Sequence, residues 1–149
     1  MNNDYTTDPA IASMLTRWRE TLPPELITPA LLEAAATPPN ATMIERSEAA
    51  GAVAACMWLR HADKLDISIA QAERADQHAA QVGQVLEARG GVEPERIREL
   101  TASAWIWCQS GFMRRVQRAL VELAAGRSLV DQGIVVAPAA NVGDNSNTA

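Results

Sequence analysis

Apolar side chains recur along most of this chain at intervals of three and four residues, the spacing that places them on one face of an α-helix. The clearest run consists of five positions, Ile11, Met14, Leu15, Trp18 and Leu22. This run predicts an amphipathic helix that begins at Asp8-Pro9, because aspartate accepts hydrogen bonds from free amides and proline at the first helical position leaves no donor unpaired. Pro23-Pro24 is expected to end it.

Two further helices are predicted before the first glycine pair. Thr28-Pro29 opens a short helix over residues 30–36. Thr42 and Glu45 then have the spacing of a capping box, in which each side chain bonds the other residue's backbone amide. No proline occurs from there to Arg89, so we expect residues 43–89 to form one long helix. The alternative is a break between Asp63 and Ser68.

The last helix is predicted to run from Pro94 to about Ala125, with Gly126 as its end. A connection as short as Gly90-Gly91 makes successive helices antiparallel neighbours. The apolar face of this helix rotates by about a quarter turn after Gly111, at 100° per residue. The helix therefore either kinks there or changes the neighbour on which it packs.

These patterns predict an all-α fold: a helical bundle built on a long antiparallel helical hairpin, with two short N-terminal helices. Residues 1–7 are expected to be a disordered N-terminus, residues 8–127 a single helical domain, and residues 128–149 an extended or disordered C-terminal tail. Composition supports this interpretation, since the chain has 28 alanines but one Phe and one Tyr. Alanine favours helices, and a shortage of aromatic residues disfavours sheets.

Composition also bears on location and origin. The uncharged, mainly apolar stretch Ala49–Leu59 has eleven residues, well short of the roughly 20 residues that a membrane span needs. The first residues lack the basic and apolar segments of a secretory signal. We therefore expect a cytoplasmic protein with no membrane partner. Twelve arginines against one lysine, together with abundant alanine, suggest a GC-rich coding sequence of bacterial, phage or plasmid origin.

Catalytic chemistry has little support in the sequence. Cys56 and Cys108 lie within apolar helical stretches, where a cysteine is usually a small buried hydrophobic residue. His61 and His78 would lie about 25 Å apart on a continuous helix, too far to share a metal ion. No nucleophile elbow, phosphate loop or dinucleotide-binding motif is present. The chain is therefore expected not to be an enzyme and to need no cofactor or metal.

The last helix carries the most suggestive side chains. Trp105 and Trp107 are two residues apart, so they point to nearly opposite sides, and tryptophan is enriched at protein interfaces. Residues 92–127 carry six basic and four acidic side chains, a local charge of +2 in a chain of net charge −5. We predict seven partner-contact residues, four apolar and three basic: Trp105, Trp107, Phe112, Met113, Arg114, Arg115 and Arg118.

The sequence favours a non-enzymatic protein–protein interaction module, a small adaptor, regulator or assembly component that acts through helical contacts and self-association. Its expected partners are a second copy of itself and another protein. The alternative is a nucleic-acid-binding regulator that uses the arginine stripe on the last helix of a dimer. The acidic isoelectric point of about 5.0 makes a nucleic-acid partner less favoured.

Overall fold

The computed structural model describes residues 27–61 and 66–137, and it confirms the all-α fold. Within those residues the chain forms four helices and no strand. They are α1 (Pro29–Ala35), α2 (Met43–Arg60), α3 (Ile67–Arg89) and α4 (Pro94–Ala124). The helices pack against one another as a bundle, and α4 contacts both α2 and α3. The helix predicted over residues 8–22 lies outside the described residues.

The predicted starts of α1 and α2 are confirmed by their caps. Thr28 Oγ1 accepts a hydrogen bond from the Leu31 amide at 3.3 Å, and Pro29 occupies the first turn of α1. At α2, Thr42 Oγ1 accepts from the Glu45 amide at 3.1 Å, and Glu45 Oε1 accepts from the Thr42 amide at 3.2 Å. Each cap satisfies amides that would otherwise lack a partner in the first helical turn.

The prediction of one continuous helix over residues 43–89 was wrong. The alternative, a break that divides this stretch into two helices, is present instead. Helix α2 ends at Arg60, where the backbone amide of His61 turns back to the Trp58 carbonyl at 2.9 Å. Helix α3 begins after Asp66, whose carboxylate accepts from both the amide and the hydroxyl of Ser68. This strong N-cap favours a new helix start over continuation. The long hairpin is therefore limited to α3 and α4, and α2 is a third helix beside it.

Helices α3 and α4 are antiparallel, as predicted. Trp105 Nε1 donates to Asp76 Oδ1 at 2.8 Å, and Gln71 Nε2 donates to the Gln109 carbonyl at 3.4 Å. The residue order along α3 is thus the reverse of that along α4. Between the helices, the backbone has positive φ angles of 73° and 78° at Gly90-Gly91, a conformation that glycine adopts without strain.

Helices α2 and α4 approach so closely that their backbones are in contact at two glycines. A Cβ atom on Gly51 would lie 2.7 Å from the Phe112 amide nitrogen and closer still to the Cys108 carbonyl oxygen. A Cβ atom on Gly111 would lie 2.7 Å from the Glu48 Cα. Helix α4 continues unbroken through Gly111, so this glycine marks a close helix crossing. The apolar face rotates there because the helix packs on α3 before it and on α2 after it.

The segment after α4 differs from the extended tail expected over residues 128–149. As far as residue 137, where the described residues end, it forms turns that pack on α1. The Gly133 carbonyl accepts from the Ala30 amide at 3.2 Å, and Gln132 Nε2 donates to the Ala119 carbonyl at 3.2 Å. Ile134 is completely buried. Its side chain joins a core cluster with Leu31 and Ala119, so this segment belongs to the bundle.

Within the described residues, none of the helices is both long enough and apolar enough to cross a lipid bilayer.

Candidate functional site

The two tryptophans of α4 are both half-buried. Trp105 lies toward α3, where its hydrogen bond to Asp76 joins the two helices of the hairpin. Trp107 is two residues further on, at about 200° around the helix, so it points away from that contact. Trp105 therefore contributes to the fold in the described chain, and Trp107 is the more available of the two for another contact.

Phe112 is a core residue, which is a correction to its predicted role in partner contact. Its side chain is 1% exposed. The ring lies 6.1 Å from that of Trp58 at an interplanar angle of 54°, a tilted aromatic contact of the favourable kind. Phe112 falls on the face of α4 that meets the other helices, together with Val116. Met113 is half-buried at the edge of this cluster and reaches the surface.

Two of the three arginines of the predicted stripe form ion pairs with carboxylates of the same chain. Arg114 pairs with Glu48 of α2 at 3.1 Å, and Arg118 pairs with Glu33 of α1 at 2.9 Å. The hydrogen bond to Glu33 raises the pKa of the Arg118 guanidinium. Because the partly exposed pairs are screened by solvent, each contributes about 0.5 kcal/mol or less to stability. Their larger effect is to orient both guanidinium groups toward the protein's own carboxylates.

Arg115 is not a surface residue, which corrects its assignment to a contact stripe. It is 7% exposed, and its Nη1 atom has no hydrogen-bond partner among the described residues. The three arginines line a groove of about 360 Å³ between α2 and α4. Glu45 and Glu48 line the same groove. The groove therefore combines both signs of charge and does not form a uniformly basic surface.

One partly exposed face of α4 carries no charged residue between positions 100 and 124. Between residues 100 and 124, all four charged side chains lie within an arc of about 100° that faces α1 and α2, at 100° per residue. Beside this arc, beginning about 20° from Arg114, lies a row of residues that we call the α4 stripe: Ser103, Ile106, Ser110, Met113, Gln117, Leu120 and Ala124. The nine residues on that arc, which are the α4 stripe together with Ala102 and Val121, carry no charge.

Three aliphatic residues of this face are well exposed, whereas Met113 is half-buried. Ile106 is 57% exposed, Leu120 56% and Val121 69%. Isolated exposed aliphatic residues are common on protein surfaces, but a contiguous uncharged row along one helix is typical of an interaction surface. The α4 stripe is therefore the strongest candidate contact surface among the described residues.

A second concave feature lies where α2, α3 and α4 meet. It is a pocket of about 270 Å³, whose apolar wall includes Met57, Trp58 and Phe112. His61 and Arg74 stand among its polar lining residues. Glu73 is a third polar residue of this lining, which is more apolar than polar. The pocket is suited to apolar contact.

The two buried cysteines and His78 take part in helix packing. Burial raises the pKa of the Cys108 thiol to about 11 and also raises that of Cys56. Both thiols are protonated at neutral pH, whereas a nucleophile must be the thiolate. His78 Nε2 lies 2.9 Å from Ser47 Oγ, a hydrogen bond that joins α3 to α2. Among the described residues, no three His, Cys, Asp or Glu side chains cluster closely enough to hold a metal ion.

Stability is expected to fall between pH 7.5 and pH 5.5, partly through His78. Burial lowers the pKa of this imidazole below its ordinary value of 6.5. The unfolded chain then binds the proton more readily than the folded chain, so the free energy of unfolding decreases as the pH drops through 6.5. In His78→Gln, whose amide can still reach Ser47, the urea midpoint should decrease less over this interval. An equal decrease in both proteins would contradict this role.

The comparisons with known proteins add no family to this description. No protein-family model, curated protein or solved structure matches the chain. The functional assignment therefore depends on the surfaces of the chain itself, chiefly the α4 stripe and the arginine groove.

Ile106, Leu120 and Val121 were absent from the predicted contact residues. A signal for two of them was present in the sequence, since Ile106, Met113 and Leu120 recur every seven residues along one side of the helix. That signal becomes meaningful only when the other faces of α4 are known to be covered by α2 and α3.

Proposed function

We propose that this chain is a non-enzymatic protein–protein interaction module that associates through the α4 stripe, with itself and with another protein. The observation that carries the proposal is the exposure of Ile106, Leu120 and Val121 on the uncharged face of a helix that packs on α2 and α3. Burial of apolar surface drives most protein association, at about 25 cal/mol per Å². On the basis of composition, we further propose a bacterial, phage or plasmid adaptor, regulator or assembly component that works in the cytoplasm.

The position of the stripe on a long helix favours this function over catalysis. Helix α4 has 31 residues and contacts both other long helices of the described chain, so its outer face is held rigidly. Rigid presentation lowers the entropy lost on binding. The buried thiols and the His78 imidazole are occupied in packing.

A protein partner is favoured over a nucleic acid by the charges around α4. Phosphate binding requires basic side chains that can neutralise several phosphates. Arg114 and Arg118 are paired with carboxylates, and Arg115 is buried. Glu45 and Glu48 in the same groove would repel a phosphate backbone. The nucleic-acid alternative would require these ion pairs to open.

Capture experiments with Ile106→Glu test the proposed function. A carboxylate at the centre of an apolar contact must be desolvated without a partner, which costs several kcal/mol. We expect the tagged variant to lose at least about tenfold of the protein, its own chain included, that the wild type retains from a lysate of its source cell. The readout is quantitative mass spectrometry of the retained proteins.

Val85→Glu provides the matched control. Val85 has the same 57% exposure as Ile106 but lies on α3, two residues beyond Gly83, which faces Thr101. It therefore points away from α4. Capture should be unchanged in this variant. Equal capture by the wild type and both variants would show that the stripe is not a contact surface and would reject the proposed function.

A further inference from the structure

Arg115 is a buried cation for which the described chain supplies no counter-charge. It is 7% exposed, and its Nη1 atom is enclosed without a hydrogen-bond partner. None of the ion pairs within residues 27–61 and 66–137 includes this guanidinium. Burial removes the group from water, and a paired anion normally offsets that loss. An unpaired guanidinium of this kind indicates that an anion from outside the chain is missing.

The three arginines of the groove between α2 and α4 lie at different depths. The side chains of Arg114 and Arg118 are 65% and 55% exposed, so they stand at the rim. Arg115 lines the same groove and is the deepest of the three. Below it, burial raises the pKa of the Cys56 thiol, and the nearby charge of Arg115 opposes that increase. A protonated thiol does not neutralise the guanidinium.

The carboxylates close to this groove are already engaged with other groups. Glu48 pairs with Arg114 at 3.1 Å. Glu33 pairs with Arg118 at 2.9 Å. Glu45 accepts hydrogen bonds in the N-cap of α2. Each of these carboxylates has a partner of its own, so the buried guanidinium is available to an anion that enters the groove.

We infer that this groove binds an organic anion with a single carboxylate, which Arg115 holds at the floor. The inference is independent of the proposed function, because it concerns a different surface of α4. A guanidinium presents N–H donors in a fork that matches the oxygens of a carboxylate or a phosphate. Glu45 and Glu48 line the groove as well, and they would repel a second negative charge on the ligand. A singly charged carboxylate is therefore favoured over phosphate.

The other walls of the groove suit the carbon skeleton of such an acid. They consist mainly of small apolar residues, Ala34, Ala36, Pro38, Ala49 and Ala52. The volume is about 360 Å³, toward the lower end of the range of roughly 300–1,000 Å³ found for small-molecule sites. A short-chain organic acid matches this combination of size, apolar walls and one buried cation.

Titration of the full chain with sodium propionate, followed by amide NMR at constant ionic strength, tests the site. We expect the amide signals of Gly111 and Ala52 to shift along one saturating curve, with a Kd in the millimolar range because the ligand has few atoms. Inorganic phosphate should bind at least about tenfold more weakly. The inference is overturned by the absence of a saturable shift, by the same shifts with sodium chloride alone, or by phosphate binding as tight as that of propionate.

Arg115→Met isolates the role of the guanidinium, since methionine fills part of the same space without a charge. Its affinity for propionate should fall at least about tenfold, while its urea midpoint without ligand should be no lower than that of the wild type, because a buried unpaired charge has been removed. Arg96→Met is the matched control on the same helix, since Arg96 is 61% exposed and pairs with Glu99. It should bind propionate as the wild type does.

Arg115→Lys provides a second comparison if the methionine variant does not fold. Lysine keeps the charge but lacks the planar fork, so binding of propionate should weaken several-fold. Binding as tight as that of the wild type in a folded variant without the guanidinium would overturn the inference.

Two probes distinguish the source of the carboxylate. Propionate represents a free acid, and N-acetyl-glutamate methylamide represents an acidic side chain on a protein. Tighter binding of propionate supports the site as one for a free acid. Tighter binding of the blocked glutamate supports it as a site for a side chain of a protein partner. In both cases the binding must be lost with the guanidinium of Arg115.

Discussion

Replacing Gly51 by alanine is expected to lower the free energy of unfolding by about 3 kcal/mol, because one added methyl group forces two helix backbones apart. The nearest atoms to the new Cβ are the Cys108 carbonyl and the Phe112 amide nitrogen, the latter at 2.7 Å. Both belong to the backbone of α4, which cannot move aside as the end of a side chain can. Gly111→Ala is expected to have a similar effect through Glu48. Urea denaturation followed by circular dichroism measures both.

Gly83→Ala is the matched control for this prediction. Gly83 also lies within a helix, but the nearest atom to its added Cβ is Thr101 Cγ2 at 3.2 Å, a side-chain methyl group that can shift. The better helix propensity of alanine, about 1 kcal/mol, offsets the crowding. We expect a change within about 1 kcal/mol of the wild type. If Gly51→Ala is as stable as Gly83→Ala, α2 and α4 do not cross in backbone contact.

Phe112→Ala is expected to cost about 4 kcal/mol of stability, because removing a fully buried aromatic ring loses its transfer free energy and leaves a cavity. Phe112 fills the space beside Trp58 and Val116 at the junction of three helices. Its urea midpoint should fall sharply. Any loss of association in this variant would then be a consequence of unfolding, since the ring does not reach the surface.

Ile106→Ala separates stability from association. Its side chain is more than half exposed, so truncation should change the free energy of unfolding by no more than about 0.5 kcal/mol at dilutions where the chain is monomeric. Association should nevertheless weaken. A large stability loss in Ile106→Ala, or none in Phe112→Ala, would show that the two faces of α4 have been assigned the wrong way round.

Local signals predicted the helices well, because helix ends depend on residues close in sequence. Thr28, Thr42 and Pro94 each begin a helix as expected. The break before Asp66 was considered but not preferred. No proline or glycine marks it, and the aspartate cap had to compete with a run of helix-forming residues. Local sequence signals also could not predict the burial of Ile134 against α1, because the contact joins residues about 100 positions apart.

The contact surface was harder to predict for the same reason. The apolar residues of α4 are distributed around most of the helix, and only the positions of α2 and α3 decide which of them are covered. Phe112 and Leu120 look equivalent in the sequence, yet one is buried and the other is exposed. The arginines were misjudged because Glu33 and Glu48 lie on other helices, 85 and 66 residues away. Such pairs depend on the tertiary fold.

The most direct test of the central claim is methyl NMR of the full chain over a dilution series. If the α4 stripe is the contact surface, the methyl signals of Ile106, Met113 and Leu120 shift together with one concentration dependence, while those of Val85 stay fixed. Each signal then reports the same association equilibrium. Concentration-dependent shifts at Val85 without shifts at Ile106, or no shifts at any concentration up to the solubility limit, would contradict self-association through this face.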